Sequence, residues 1–112
     1  MTSTTGKTAP FAFSGLSAET IDKIQSTLRQ YPEVETALLY GSRAMGKHKP
    51  GSDIDVVLEG AGLNLETLNK IRNDLDDLLL PYTFDVSILH QIENKDLVDH
   101  IERVGKTVYQ RT

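Results

Sequence analysis

The sequence predicts an α+β fold (α/β-like), a small mixed β-sheet flanked by helices. Two observations predict it. Short apolar or β-branched runs recur at 34–40, 53–59 and 83–89. Segments with apolar residues three and four apart lie before, between and after them. The resulting order, αβ(turn)βαβα, suits one sheet covered by helices.

Each element has a local reason. Ser17 is a good helix N-cap with Glu19 in the first turn, and Ile21, Ile24, Leu28 and Tyr31 follow at helical spacing. This predicts a helix over 18–30, stopped by Pro32. "VETALLY" predicts a strand that ends at Gly41-Ser42. "SRAMGK" suits a short helical turn, and "KPGS" is loop chemistry. "DIDVVLE" predicts a strand with Ile54, Val56 and Leu58 on one face and Asp53, Asp55 and Val57 on the other. Asn64 caps a helix over 65–79, whose apolar face is Leu65, Leu68, Ile71, Leu75, Leu78 and Leu79, with Pro81 at its end. "TFDVSIL" predicts a third strand. Asn94 caps a last helix over 95–104, with Leu97, Val98, Ile101 and Val104 inward and Gly105 as its stop. "KTVYQ" closes as a short extended segment.

With 112 residues the chain is one domain's worth. Residues 1–14, rich in Thr, Ser, Gly and Ala, read as a flexible N-terminal tail, and 15–112 as the single domain. The absence of cysteine excludes a disulfide framework and a Cys-based zinc site, and suits a cytoplasmic location. No apolar run reaches membrane-span length, and the N-terminus does not read as a signal peptide. A net charge of −4 disfavours nucleic-acid binding through a basic surface. A local basic loop remains, with Arg43, Lys47, His48 and Lys49.

Asp53 and Asp55 are two apart. On a strand this puts both carboxylates on one face, roughly 7 Å apart. Such like charges repel unless a cation lies between them, and Mg²⁺ uses one or two carboxylates plus substrate phosphates. Asp85 begins another strand. If that strand lies beside 53–59, three acids converge on a two-metal site suited to phosphoryl transfer. Gly41 allows a tight turn and close approach of a ligand, and the Ser42 hydroxyl with the amides after it can donate to phosphate oxygens. Arg43 and Lys47 add positive charge around a polyphosphate. Taken singly, each feature is ordinary: an edge-strand D-x-D, a turn, a solvated basic loop. His48, His90 and His100 have no ligand-like spacing and read as solvated.

Taken together, "GSRAMGKHKPGSDIDVV" resembles the signature of the polymerase-β-like nucleotidyltransferase superfamily. Its small size and the form "GSRAxG…SDIDVV" resemble the minimal nucleotidyltransferase (MNT) branch. The resemblance runs from about Leu38 to Leu89 and implies a nucleotidyltransferase fold. It implies Gly41 and Ser42 as the phosphate-binding turn, with Arg43, Lys47 and Ser52 around it. Asp53, Asp55 and Asp85 are then the catalytic acids and metal ligands. ATP is the implied substrate, with two Mg²⁺ ions, or Mn²⁺, as cofactors. The implied partner is a HEPN-domain toxin encoded nearby. The resemblance implies that an AMP moiety passes to one of its hydroxyls, that of a tyrosine, with this chain as its antitoxin. The family often has a second Arg where Met45 stands, which leaves no basic contact there. The alternative is a catalytically weak or inactive protein of the same fold that acts by binding its partner. The least specific reading is an α/β scaffold with acids at a sheet edge.

Overall fold

The computed structural model describes residues 14–49 and 51–111. The expected tail therefore lies outside the described residues except for Ser14, which is buried. Helix α1 spans Ala18–Arg29, and the Ser17 side chain accepts from the Thr20 N–H at 3.1 Å, as the cap chemistry predicts. Strand β1 covers Thr36–Tyr40 and β2 covers Ile54–Glu59. Helix α2 spans Leu65–Asp76 under its Asn64 cap, and β3 covers Phe84–Ile88. A short 3₁₀ turn, Leu89–Gln91, leads to α3, Lys95–Val104, capped by Asn94. The closing extended segment is a full strand, β4, Lys106–Gln110.

The four strands lie in the order β3-β2-β1-β4. β1 is antiparallel to both β2 and β4, whereas β2 and β3 are parallel, with α2 as their crossover. The sheet is thus mixed. Alternation sorts its side chains to two faces as the sequence predicts. Ile54, Val56 and Leu58 join Ile21, Ile24, Leu28, Leu68, Ile71 and Leu75 in the main core. Val57 joins Tyr40 and Ile101 in a second cluster, packed by Leu38, Leu89, Ile92 and Leu97. Helices α1 and α2 cover one face, and α3 covers part of the other.

Two parts of the α2 expectation are corrected. The helix stops at Asp76, not at 79. Closing turns run from Leu78 N–H to the Leu75 carbonyl and from Leu79 N–H to the Asp76 carbonyl. The chain then leaves through Leu79 in the left-handed region, φ 57°, the backbone exit common at helix C-termini. Leu79 and Leu65 point to solvent, at 87% and 61% exposure. In α3 only Ile101 is fully buried, and Val98 and Val104 are partly so.

Candidate active site

The register brings the acids together. Asp55 on β2 pairs with Asp85 on β3, and Tyr40 on β1 pairs with Asp55. Directly paired residues share a face, so Tyr40, Asp55 and Asp85 form one row across three strands. Asp53 lies just ahead of β2 and exposed, and Asp85 is exposed as well. Asp55 is half-buried, and its carboxyl is pushed above the usual range. Burial is the largest cause, followed by the negative charges of Asp85 and then Asp53, with Arg43 and His100 pulling the other way. Each of the two acids on either side thus disfavours charge on the third.

The turn after β1 packs onto this row. Gly41 has φ +76°, and a Cβ there would press into the Asp55 carboxylate. Both facts require glycine. The Ser42 carbonyl accepts from Lys47 N–H at 2.9 Å, and Gly41's accepts from Met45 N–H at 3.3 Å. The expected helical turn over this stretch is therefore a set of hydrogen-bonded turns. Ser42 is half-buried and Lys47 exposed.

Arg43 and Ser52 are placed differently from the sequence expectation. Arg43 is only 2% exposed. Its guanidinium donates to the Ser52 carbonyl at 2.9 and 3.2 Å and to the Ser14 carbonyl at 2.7 Å, and it lies over the Tyr82 ring at 4.8 Å. The Ser52 hydroxyl accepts from Lys49 N–H at 2.9 Å. These two residues fasten the loop. Held within the loop, the Arg43 guanidinium opposes the upward shift of the Asp55 carboxyl through its positive charge.

The histidines also differ from expectation. His48 is not simply solvated: its ring packs on Gly15, and its Nδ1 is buried without a partner. It lines a groove of about 530 Å³ with Arg43, Gly51, Pro81 and Tyr82, to the side of the acids. His100 stands edge-on to Tyr40, centroids 6.3 Å apart, on the side of the row that also holds Asp55. His90 is exposed. Sequence reasoning missed Tyr40, Ser87 and His100 as neighbours of the acids. Burial, then the negative charges of Asp85 and Asp55, raise the pKa of Tyr40, and Ser87 pulls it the other way. Only helical phase offered a signal, since His100 follows the inward Leu97 by three residues. The placement of Tyr40 depends on strand pairing, which has no local mark.

The donor set is all oxygen, and its negative charge is concentrated, which fits a hard divalent cation. Among the described residues no three His, Cys, Asp or Glu side chains are gathered tightly enough to hold an ion unaided. Phosphate oxygens would have to complete the shell.

This arrangement of fold and acids is that of a nucleotide-transferring domain. The family model "Polymerase beta, Nucleotidyltransferase" matches residues 22–112, and the chain belongs to that family. It is a nucleotidyltransferase. No curated protein matches it. Among solved structures, it is similar to a chain of a toxin–antitoxin crystal structure with AMP-PNP, at 23% identity and TM-score 0.68, covering 82% of this chain and 74% of that one. It is also similar to a chain of a complex between a tri-AMPylated HEPN toxin and an MNT antitoxin from Shewanella oneidensis. There the identity is 21% and the TM-score 0.64, over 83% and 71% of the two chains. A chain of the toxin–antitoxin MntA-HepT matches at 21% identity and TM-score 0.63, over 83% and 72%. At these identities the likeness establishes the fold. Among the described residues no helix is long and apolar enough to cross a membrane.

Proposed function

We propose that this chain transfers AMP from ATP, in a Mg²⁺-dependent reaction, to a tyrosine hydroxyl of a HEPN-domain toxin and so acts as its antitoxin. The observation that carries the reading is the in-register pair Asp55–Asp85, with Asp53 beside it, next to the Gly41-Ser42 turn. The tri-AMPylated toxin in a complex of similar fold supports the choice of reaction and partner.

Asp53, Asp55 and Asp85 would hold the cations. When bound, Mg²⁺ supplies the positive charge that offsets the triphosphate and the departing pyrophosphate. The Ser42 hydroxyl and the amides of the turn donate to phosphate oxygens and orient the α-phosphorus. Asp85, exposed at the end of the row, accepts the acceptor's hydroxyl proton on a carboxylate oxygen. The acceptor oxygen bonds to the α-phosphorus. The bond from that phosphorus to the bridging oxygen breaks, and its electron pair leaves with pyrophosphate. Arg43 contributes a fixed positive field from within the loop.

A second reading keeps the fold but neutralises the partner by contact alone. The open site, with Asp53 and Asp85 exposed, suits it as well. Intact mass of the co-purified partner, with and without Mg-ATP, separates the two. A mass increase equal to one or more AMP groups is expected. An unchanged mass at full complex formation would overturn transfer.

A further inference from the structure

We propose that the acceptor is delivered as an extended polypeptide segment lying along the outer edge of β3, with its hydroxyl-bearing residue beside Asp85 and a main-chain carbonyl held by Arg72. The inference rests on the adenylyl-transfer reading above and specifies how that reaction's protein substrate is held.

β3 ends the sheet, and among the described residues no strand pairs with its outer edge. The parallel register fixes which backbone groups face outward. Ile54, opposite Phe84, donates its N–H to the Thr83 carbonyl at 2.9 Å. In a parallel ladder Thr83, Asp85 and Ser87 then bond inward to β2, while Phe84, Val86 and Ile88 turn their backbone groups outward. The Val86 carbonyl agrees, because it is met from outside by Arg72 Nη2 at 2.9 Å.

The row Tyr40–Asp55–Asp85 therefore stops at an exposed carboxylate with no further strand beyond it. A segment placed alongside β3 would put its next residue about 4.8 Å past Asp85, with the side chain on the same face as the acids. Because Asp85's own backbone groups point inward, an antiparallel neighbour would meet it as a non-hydrogen-bonded pair. That is the closer kind, with Cα atoms about 4.5 Å apart.

The edge is not bare. Val86 is buried, and Arg72 covers its carbonyl. Arg72 itself is exposed and, among the described residues, has no carboxylate partner. A guanidinium has several donors in a fixed fork, and Val86 engages one of them. Arg72 thus offers an incoming main chain the donors that a paired strand would otherwise supply. It rises from α2, on the face opposite the acids, toward which the residues flanking the hydroxyl would point.

The test mixes the protein with the HEPN-domain protein encoded beside it, Mg²⁺ and ATP. It follows the dissociation constant of the complex, steady-state AMP transfer and amide exchange. Arg72→Ala is expected to raise KM for the acceptor protein by about tenfold or more, with the change concentrated there rather than in kcat or KM for ATP. Arg72→Lys keeps the charge but loses the fork, and should fall between. The outward Phe84 N–H should gain protection in the complex, whereas that of Asp85 is protected already. An unchanged acceptor KM with no new protection at Phe84 overturns edge docking even if transfer proceeds. So does a loss in Arg72→Ala that tracks Tm and ATP KM, which marks a structural role. If the parent transfers no AMP, the reaction assigned above fails by itself. Docking is then judged on binding: about tenfold weaker complex formation in Arg72→Ala with Phe84 protected supports it, and equal affinity overturns it.

Discussion

At neutral pH the fold holds Asp55 where its charge is disfavoured, by burial and by Asp85 and Asp53. Its pKa is raised relative to the unfolded chain, so the folded state binds the proton more tightly. The associated stability is fully present below the ordinary aspartate value and is lost as pH rises through the raised one. Asp55→Asn should therefore raise Tm at neutral pH, and the gain should shrink as pH falls into the carboxylate range. Thermal melts across pH check this, and a gain independent of pH would contradict it. Added Mg²⁺ should raise the Tm of the parent more than that of the variant. Ser42 tests the turn in the same way. If its hydroxyl donates to a phosphate, Ser42→Ala should weaken ATP binding by about 1–2 kcal/mol. Calorimetry with Mg-ATP reads this directly, and an unchanged affinity would make Ser42 an ordinary surface turn residue. Gly41 is the least replaceable of the three, since both its φ and the Asp55 carboxylate exclude a side chain.

Among the elements, the exit from α2 is the strained point. Leu79 has φ 57° and is 87% exposed, so it carries the steric cost of the left-handed region without burying its side chain. Leu79→Gly should be neutral to stabilising, by about 0.5–1 kcal/mol, as the relieved strain outweighs the added freedom of the unfolded chain. Urea melts check the sign, and a loss above about 1 kcal/mol would mean that Leu79 packs against something. The same helix shows what was legible in the sequence. Periodicity located Leu68, Ile71 and Leu75 correctly because burial follows helical phase. It extended the stripe to Leu79 because an apolar residue in phase looks the same whether or not the helix continues. The caps at Ser17, Asn64 and Asn94 were readable, since each is a local bond between one side chain and nearby amides. Face alternation on β2 was readable for the same local reason. The strand order, the pairing of β4 with β1 and the row through Tyr40 were not, because they depend on contacts far apart in sequence. Arg43 shows the limit most clearly. In sequence it is one of several basic loop residues, and only the fold shows that its donors are taken by Ser14 and Ser52. Both sheet edges are also met by a helix side chain, Arg72 on Val86 and Gln25 on Val108, which blunts them against indiscriminate pairing.

For the molecule as a whole, the acids lie on the half of the sheet farther from β4, on a face that α3 covers only in part. Asp53 and Asp85 remain open to solvent. An open site of this kind suits an enzyme whose acceptor is another protein, and it equally suits a protein that works by docking. Asp85→Asn separates these, because it keeps size and shape while removing the proton acceptor and one negative charge. Under the enzyme reading, complex formation should persist and ATP affinity should fall modestly. AMP transfer should drop about 100-fold or more, the scale of a positioned general base. The measurement combines a pull-down of the proposed HEPN-domain partner, label transfer from ATP and protection of cells from that protein. Loss of label and of protection together, with the complex intact, ties the biology to catalysis. If the parent protects without transferring label and Asp85→Asn protects equally well, contact alone carries the effect and the acids do not drive it.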